Sequence, residues 1–289
     1  MRKSVEHNTV EEQKLFLNYQ NHNFSVKAYF IDLDGTTLDG LRKTISKKNS
    51  EAIKAKNNFF PVVISTGRAF NSKVQKIMNK LNIKYAICLN GAYVVDNESK
   101  VLVDIALDND KVEQIIKIIN KEKIPFTING IFEVFLDNKP WFFLRWFWRK
   151  RFKKTSKFNI NQYESIRKIT LVGKSRKKMH KMYKLLKSEI EDASIKTSGH
   201  DYIIEITNKF ATKGQGALLV SNILNINPKE TIHIGDSQND TTTLNVVGAL
   251  IAMNNSSKKL LKVATHRGPS YRRGGLAKVL SGNFEEIKR

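Results

Sequence analysis

Two aspartates, Asp32 and Asp34, follow an apolar, strand-length run, Val26 to Ile31, and precede Gly35-Thr36-Thr37. Carboxylates at i and i+2, at the mouth of a buried strand, can turn into one crevice. There they repel each other, and each tends to hold a proton unless a cation lies between them. No Cys or His pair stands near them in sequence to make a zinc site. A hard divalent ion bound through oxygen, Mg2+, meets that need. Asp236 and Asp240, in Gly235-Asp-Ser-Gln-Asn-Asp240, follow a second apolar run, Thr231 to Ile234. Mg2+ usually keeps water and substrate oxygens among its ligands, so only one or two of these acids need touch it.

Four acids and Mg2+ suit a phosphate ester. A carboxylate can attack phosphorus and form an aspartyl-phosphate. A second carboxyl can protonate the leaving oxygen and then activate water. The phosphoryl group also needs donors. Thr66-Gly67 offers a hydroxyl and backbone N–H groups, and Lys213 a charge. Thr212 and Gln215 stand in capping-box spacing and put Lys213 in the first turn of a helix. A cation there opposes the helix dipole and is best tolerated beside an anion. Arg68 could grip phosphate or tie a loop to a carboxylate, and is left outside the site. His233, inside a strand-like run, and Cys88, in an apolar one, read as structural.

The elements that must position these residues alternate. Apolar runs at 26–31, 61–65 and 85–89 each end in polar residues, and helical spacing separates them, as in Val74, Ile77, Met78 and Leu81. That is the rhythm of βαβ units on a parallel sheet, whose strand ends share one ligand-binding edge. The texture changes near Asp96. Val101–Ile105 reads as a strand, and Val112, Ile115, Ile116 and Ile119 mark a helix. Lys168–Val172 is a further strand, and Met179, Met182, Tyr183, Leu186 and Ile190 form a helical stripe. We read 99–204 as an inserted α+β domain. Tyr202–Ile206 is taken as the strand with which the α/β rhythm resumes. The core is then 1–98 and 205–289, with 1–25 a polar N-terminal extension.

The composition bounds the rest. The 289 residues include 50 Lys and Arg against 27 Asp and Glu, a formal charge of +23. Such a charge fits nucleic-acid binding, but the lysines are spread along the chain rather than gathered, which favours a compositional origin. A positive surface also attracts phosphate esters. One cysteine excludes an internal disulfide framework. The greasiest stretch, Trp141 to Trp148, is too short for a bilayer span and holds Arg145. The polar first 20 residues do not read as a signal peptide. A soluble, cytoplasmic protein is expected.

Asp32-Leu-Asp-Gly-Thr-Thr-Leu-Asp39 resembles the first motif of the haloacid-dehalogenase-like (HAD) superfamily. Ser65-Thr-Gly-Arg68 is similar to the second, Lys213-Gly214 to the third and Gly235–Asp240 to the fourth. Asn90-Gly-Ala92 and Met253-Asn-Asn-Ser256 resemble signatures of the Cof-type subgroup with its type IIB cap, although Asn254 stands where a glycine is usual. The resemblance covers about 26–289 and implies a Rossmann-like core with an inserted cap. It implies Asp32 as nucleophile and Mg2+ ligand, and Asp34 as acid/base that binds Mg2+ through its carbonyl. Asp236 would be the other metal ligand, with Ser237 beside it. The Leu33 backbone, Thr66, Gly67, Lys213 and Asn239 would hold phosphate, and Asp240 would orient Lys213 or a metal-bound water. An acid at position 34 implies a phosphatase or a mutase, where ATPases of the superfamily carry Thr.

The expected function is Mg2+-dependent hydrolysis of small phosphorylated metabolites: sugar phosphates, nucleotides or phosphorylated cofactors. A sugar phosphomutase or phosphotransferase on the same scaffold is the first alternative. A basic nucleic-acid-binding protein with a vestigial fold is the second, and the intact acidic positions speak against it. Trp141–Lys154, with six Lys or Arg and no acid, reads as cap core with solvated charges that also faces the substrate, with a surface for anionic lipid or nucleic acid as the alternative.

Overall fold

The computed structural model describes residues 25–38, 44–131, 133–136, 154–199 and 201–288, with the backbone alone at 154–156. The N-terminal extension to residue 24, Asp39 and the aromatic-basic stretch 141–153 lie outside the described residues. The strands in chain order are β1 (Ala28–Ile31), β2 (Val62–Ser65), β3 (Tyr85–Cys88), β4 (Tyr93–Asp96), β5 (Val101–Asp104), β6 (Phe126–Ile128), β7 (Glu133–Phe135), β8 (Lys154–Ser156), β9 (Lys168–Val172), β10 (Ala193–Ser198), β11 (Ile203–Asn208), β12 (Thr231–Gly235), β13 (Ala249–Ala252), β14 (His266–Arg267) and β15 (Glu285–Glu286).

The larger sheet runs β15-β14-β13-β12-β1-β2-β3-β4-β5. Its centre is parallel, with antiparallel strands only at the two edges. Every residue of β1, β2, β3 and β13 is buried, as a parallel sheet covered on both faces requires. The strands alternate between two cores. Tyr29, Ile31, Val62, Ile64, Ala86, Cys88, Ile232 and Ile251 pack with Ile53 of α1 (Lys47–Asn57) and with Val74, Met78 and Leu81 of α2 (Ser72–Leu81). Phe30, Val63, Ile87 and Leu250 face the other side. Cys88 belongs to the first core, and burial pushes its thiol up to about 12.

The smaller sheet runs β10-β11-β9-β6-β7-β8. One face buries Phe126, Ile128, Ile169, Leu171, Ile195, Ile204 and Ile206 against α3 (Asn109–Lys121) and α4 (Arg176–Glu189). Met179, Met182 and Leu186 are in that core, so the α4 stripe is packing. The alternate residues Thr127, Lys168, Glu205 and Thr207 are buried and polar.

Two strands depart from the expected boundaries. β5 pairs with β4 and closes the edge of the larger sheet, because Asp96 Oδ1 accepts the Glu98 and Lys100 N–H groups and tightens a hairpin. β11 does not resume the parallel sheet; it pairs antiparallel with β10 and β9. Its alternation of Ile204 and Ile206 with Glu205 and Thr207 fits a sheet greasy on one face only. The chain therefore leaves the larger sheet after Asp104 and re-enters it at Thr231, preceded by α5 (Lys213–Ile223), which packs Ala217 and Val220 on the second core. No described helix is long and apolar enough to cross a membrane.

Candidate active site

Parallel register sets the site. Ile31 is aligned with Ile64 on one side and Ile234 on the other, and Asp32 N–H donates to Ile234 O at 2.9 Å. The segments after β1, β2 and β12 thus emerge side by side at the edge where an open parallel sheet binds its ligands.

Lys213 is the centre of the cluster. Thr212 caps α5, its hydroxyl accepting Gln215 N–H at 3.1 Å, so Lys213 opens the helix as expected. Its ammonium is fully buried and donates to Asp32 Oδ1 and to Asp240 Oδ1, each at 2.7 Å. Burial disfavours that charge, but the carboxylates of Asp240 and Asp32 outweigh it and hold Lys213 well above its ordinary value.

Asp240 is fully engaged. Oδ1 takes Lys213 and His233 Nε2, the latter at 2.8 Å, and Oδ2 accepts the backbone N–H groups of Asp236 at 3.1 Å and Ser237 at 2.9 Å. Burial acts against its charge, yet Lys213 and His233 hold it below the usual carboxylate range. Burial pushes the His233 ring below its ordinary value, although Asp240 pulls the other way. Its role as the second partner of Asp240 lies outside what its place in a strand could indicate.

Asp32 is buried, and burial lifts its carboxyl to about 7 although Lys213 pulls the other way. Asp236, partly exposed, is raised well above the ordinary range by desolvation and then by Asp32. Asp236 lies against Gly35, whose φ is +82°; a Cβ there would come within 2.1 Å of Asp236 Oδ2. Asn255 Nδ2 donates to Gly35 O at 2.9 Å and its Oδ1 accepts Tyr271 N–H at 3.0 Å, which fixes the turn that carries Asp34. Asn254, in the glycine's place, turns outward to Arg267.

Asp34 is bound by the loop after β2. Arg68 grips it with two parallel bonds, Nε to Oδ2 at 2.5 Å and Nη2 to Oδ1 at 2.7 Å. Arg68 therefore belongs to the site, as the loop-to-carboxylate tie of its two sequence readings. Thr66 is buried and its hydroxyl accepts Arg68 N–H at 3.2 Å. Leu33 is buried, and its carbonyl accepts the N–H groups of Thr37 and Leu38. Gly67 lies against Asn90. Ser237 Oγ donates to Asn239 Oδ1 at 2.7 Å, and Asn239 Nδ2 donates to Asn90 Oδ1 at 2.8 Å.

The residues fit a divalent cation. Among the described residues one ammonium, Lys213, bonds Asp32 and Asp240 while Asp236 stands close to Asp32, so the three acids outnumber the lysine beside them in a poorly solvated place. Asp240 has no oxygen to spare, so Asp32 and Asp236 are the side chains that could hold a metal. Among the described residues no three His, Cys, Asp or Glu side chains form a metal cage. Two carboxylates with a main-chain carbonyl suit Mg2+, which retains waters.

Comparison with known proteins gives the family and the fold. Residues 29–280 match the family model described as haloacid dehalogenase-like hydrolase. The phosphatase YwpJ of Bacillus subtilis is 26% identical over 83% of this chain and 93% of its own length. The 5-amino-6-(5-phospho-D-ribitylamino)uracil phosphatase YwtE of the same organism is 26% identical over 90% of this chain and all of its own. A solved HAD subclass IIB sugar phosphatase superposes with a TM-score of 0.75 at 20% identity, over 88% of this chain and 98% of that one. The matched span takes in every strand from β2 to β14 and all of the clustered acids, and the chain belongs to the haloacid dehalogenase-like hydrolases.

Proposed function

We propose that the protein is a Mg2+-dependent phosphatase that hydrolyses small phosphorylated metabolites through an aspartyl-phosphate on Asp32. The observation that carries this reading is the buried Lys213 ammonium bonded at 2.7 Å to both Asp32 and Asp240. It holds one oxygen of Asp32 in place and leaves Oδ2 to attack. The relatives named phosphatases support the reaction class.

In the first step Asp32 Oδ2 attacks phosphorus and the bond to the leaving oxygen breaks. Asp34 delivers a proton to that oxygen. Arg68 aims Asp34; one of its two bonds must yield, and the oxygen so freed takes up from solvent the proton that Asp34 then gives to the leaving oxygen. In the second step the Asp34 carboxylate takes a proton from water, which attacks phosphorus, releasing phosphate and restoring Asp32. Thr66, the Leu33 and Gly67 backbone, Lys213 and Asn239 would donate to the phosphoryl oxygens. Asp32, Asp236 and the Asp34 carbonyl would hold Mg2+, with Ser237 alongside. When bound, the ion supplies positive charge that reduces repulsion between nucleophile and phosphate. The inserted smaller sheet would act as the cap, its polar face meeting the leaving group.

A phosphate-release screen over metabolite esters, with and without Mg2+, tests this. Release from at least one ester class, lost on chelation and restored by Mg2+, is expected. Release indifferent to the metal contradicts the proposal.

A further inference from the structure

A chain of buried polar contacts crosses from the smaller sheet to the fourth-motif turn. On β9 and β11, Lys168 and Glu205 form an ion pair with side chains 4% and 11% exposed. Lys168 Nζ also donates to Gly67 O at 2.8 Å. Glu205 Oε2 accepts Asn90 Nδ2 at 3.1 Å, Asn90 Oδ1 accepts Asn239 Nδ2 at 2.8 Å, and Asn239 Oδ1 accepts Ser237 Oγ at 2.7 Å. A Cβ on Gly67 would meet Asn90 Oδ1 at 2.9 Å, Glu205 Oε1 at 3.3 Å and Lys168 Nζ at 3.4 Å, so a larger residue there would wedge the chain apart.

The direction of this chain is set at its cap end. An ionised carboxylate can only accept. The amide of Asn90 must therefore present its NH2 to Glu205 and its oxygen to Asn239. Asn239 must in turn present its NH2 to Asn90 and its oxygen to the Ser237 hydroxyl. An asparagine alone has no such preference, since its two ends have nearly the same shape. Asn90 is held where it can relay: its φ is +61°, and its N–H donates to Thr66 O at 3.1 Å.

We propose that Glu205 is a positioning residue for phosphate binding, acting through Asn90 on the amide orientation of Asn239. The proposal rests on the reading of Asn239 as a phosphate contact. An amide nitrogen carries two N–H groups; Asn90 takes one and the other serves a phosphate oxygen. With the amide reversed, an oxygen lone pair faces the phosphate and repels it. Lys168 ties the same pair to the Gly67 loop, so the polar face of the smaller sheet must be docked for the donors to be aimed. Docking of the cap and order of the phosphate site are then one event.

Glu205→Gln tests this at nearly constant shape. The substituted amide keeps an oxygen for Lys168 but offers an NH2 to Asn90, which must turn, and Asn239 turns with it. Affinity for inorganic phosphate, by calorimetry with Mg2+ present, and KM for p-nitrophenyl phosphate should each worsen about tenfold or more, with kcat changed less than about threefold. Adding Asn90→Asp should rescue. The carboxylate introduced in place of the Asn90 amide accepts both from the new amide on β11 and from Asn239. The amide of Asn239 then returns, and the negative charge near Lys168 is kept. The double variant should lie within about threefold of wild type.

The relay is overturned if E205Q binds phosphate within about twofold of wild type, or if the folded double variant is no better than the single. Should E205Q fail to fold, the double variant decides alone: near-wild-type affinity supports the relay and a tenfold loss overturns it. Phosphate affinity separates this proposal from the phosphatase reading. A wild type that binds phosphate but hydrolyses no ester defeats that reading and leaves the relay standing, whereas a wild type that does not bind phosphate defeats the relay.

Discussion

Arg68 holds Asp34 by a two-pronged guanidinium–carboxylate contact, so the group cast as acid/base is aimed by a residue from a different strand end. Two parallel bonds fix the plane of a carboxylate, which one bond cannot do. Arg68→Ala should lower kcat/KM by about 10- to 100-fold, with little loss of stability because the pair is partly exposed. Arg68→Lys should recover only part of the loss, since an ammonium is a point charge. Steady-state kinetics on the best ester checks this; full activity in R68A would show that Asp34 needs no such hold.

Gly35 and Asp236 share one volume. Gly35→Ala would place a methyl group within 2.1 Å of Asp236 Oδ2, at a φ of +82° that L-residues avoid. The carboxylate must shift from its place. Mg2+ affinity, read from the metal-dependent rise in melting temperature, should fall about tenfold or more while the fold persists. An unchanged Mg2+ response would separate Asp236 from the metal.

The acids predict an unusual pH dependence. Asp32 is at about 7 in the folded, metal-free protein against an ordinary 3.8. Between those values the folded state holds a proton that the unfolded state has released. Metal-free stability should therefore be greatest on the acid side and fall as pH rises from about 4 to 7, by a few kcal/mol at most. Mg2+ replaces the proton, so the fall should largely vanish at saturating metal, and the metal should bind more weakly below pH 7. Asp236→Ala should raise metal-free stability near neutrality and abolish most of the Mg2+ response. Calorimetric melting over pH 5–8, with chelator or Mg2+, checks each sign.

Lys213→Met removes the ammonium bonded to Asp32 and Asp240. Breaking a buried pair from one side costs about 3–5 kcal/mol, and here two carboxylates lose their partner. Turnover should fall by at least about a hundredfold, and added Mg2+ should restore stability better than activity. Activity within tenfold of wild type would remove Lys213 from the mechanism.

Most of this site is legible in the chain. The expected acids, Lys213, Thr66 and Asn239 come together because each follows a short apolar run or opens a helix, and parallel register brings strand ends to one edge. Lys213 is conspicuous as a cation at a helix N-terminus, and its anions prove to be Asp32 and Asp240. The gaps have a physical cause. Arg68 and His233 act through partners 34 and 7 residues away, and nothing local shows which way an arginine or a strand histidine will turn. Asn90 lies within a recognisable motif, yet its role depends on Glu205, 115 residues on. β11 reads as another core strand because Ile203, Ile204 and Ile206 crowd together; the alternation with Glu205 and Thr207 is the contrary signal. β5 reads as part of the insertion because a change of texture at Asp96 marks a hairpin as readily as a domain boundary.

The central claim is a covalent phosphate on Asp32. It is tested most directly by acid quench during turnover of a good ester, followed by borohydride, which reduces an acyl phosphate and leaves a free carboxylate untouched. Peptide mass analysis should find reduction at position 32, absent without substrate and absent in Asp32→Asn, which should fold but not turn over. Robust phosphate release with no reduction at Asp32, or turnover near wild type in D32N, would contradict the account.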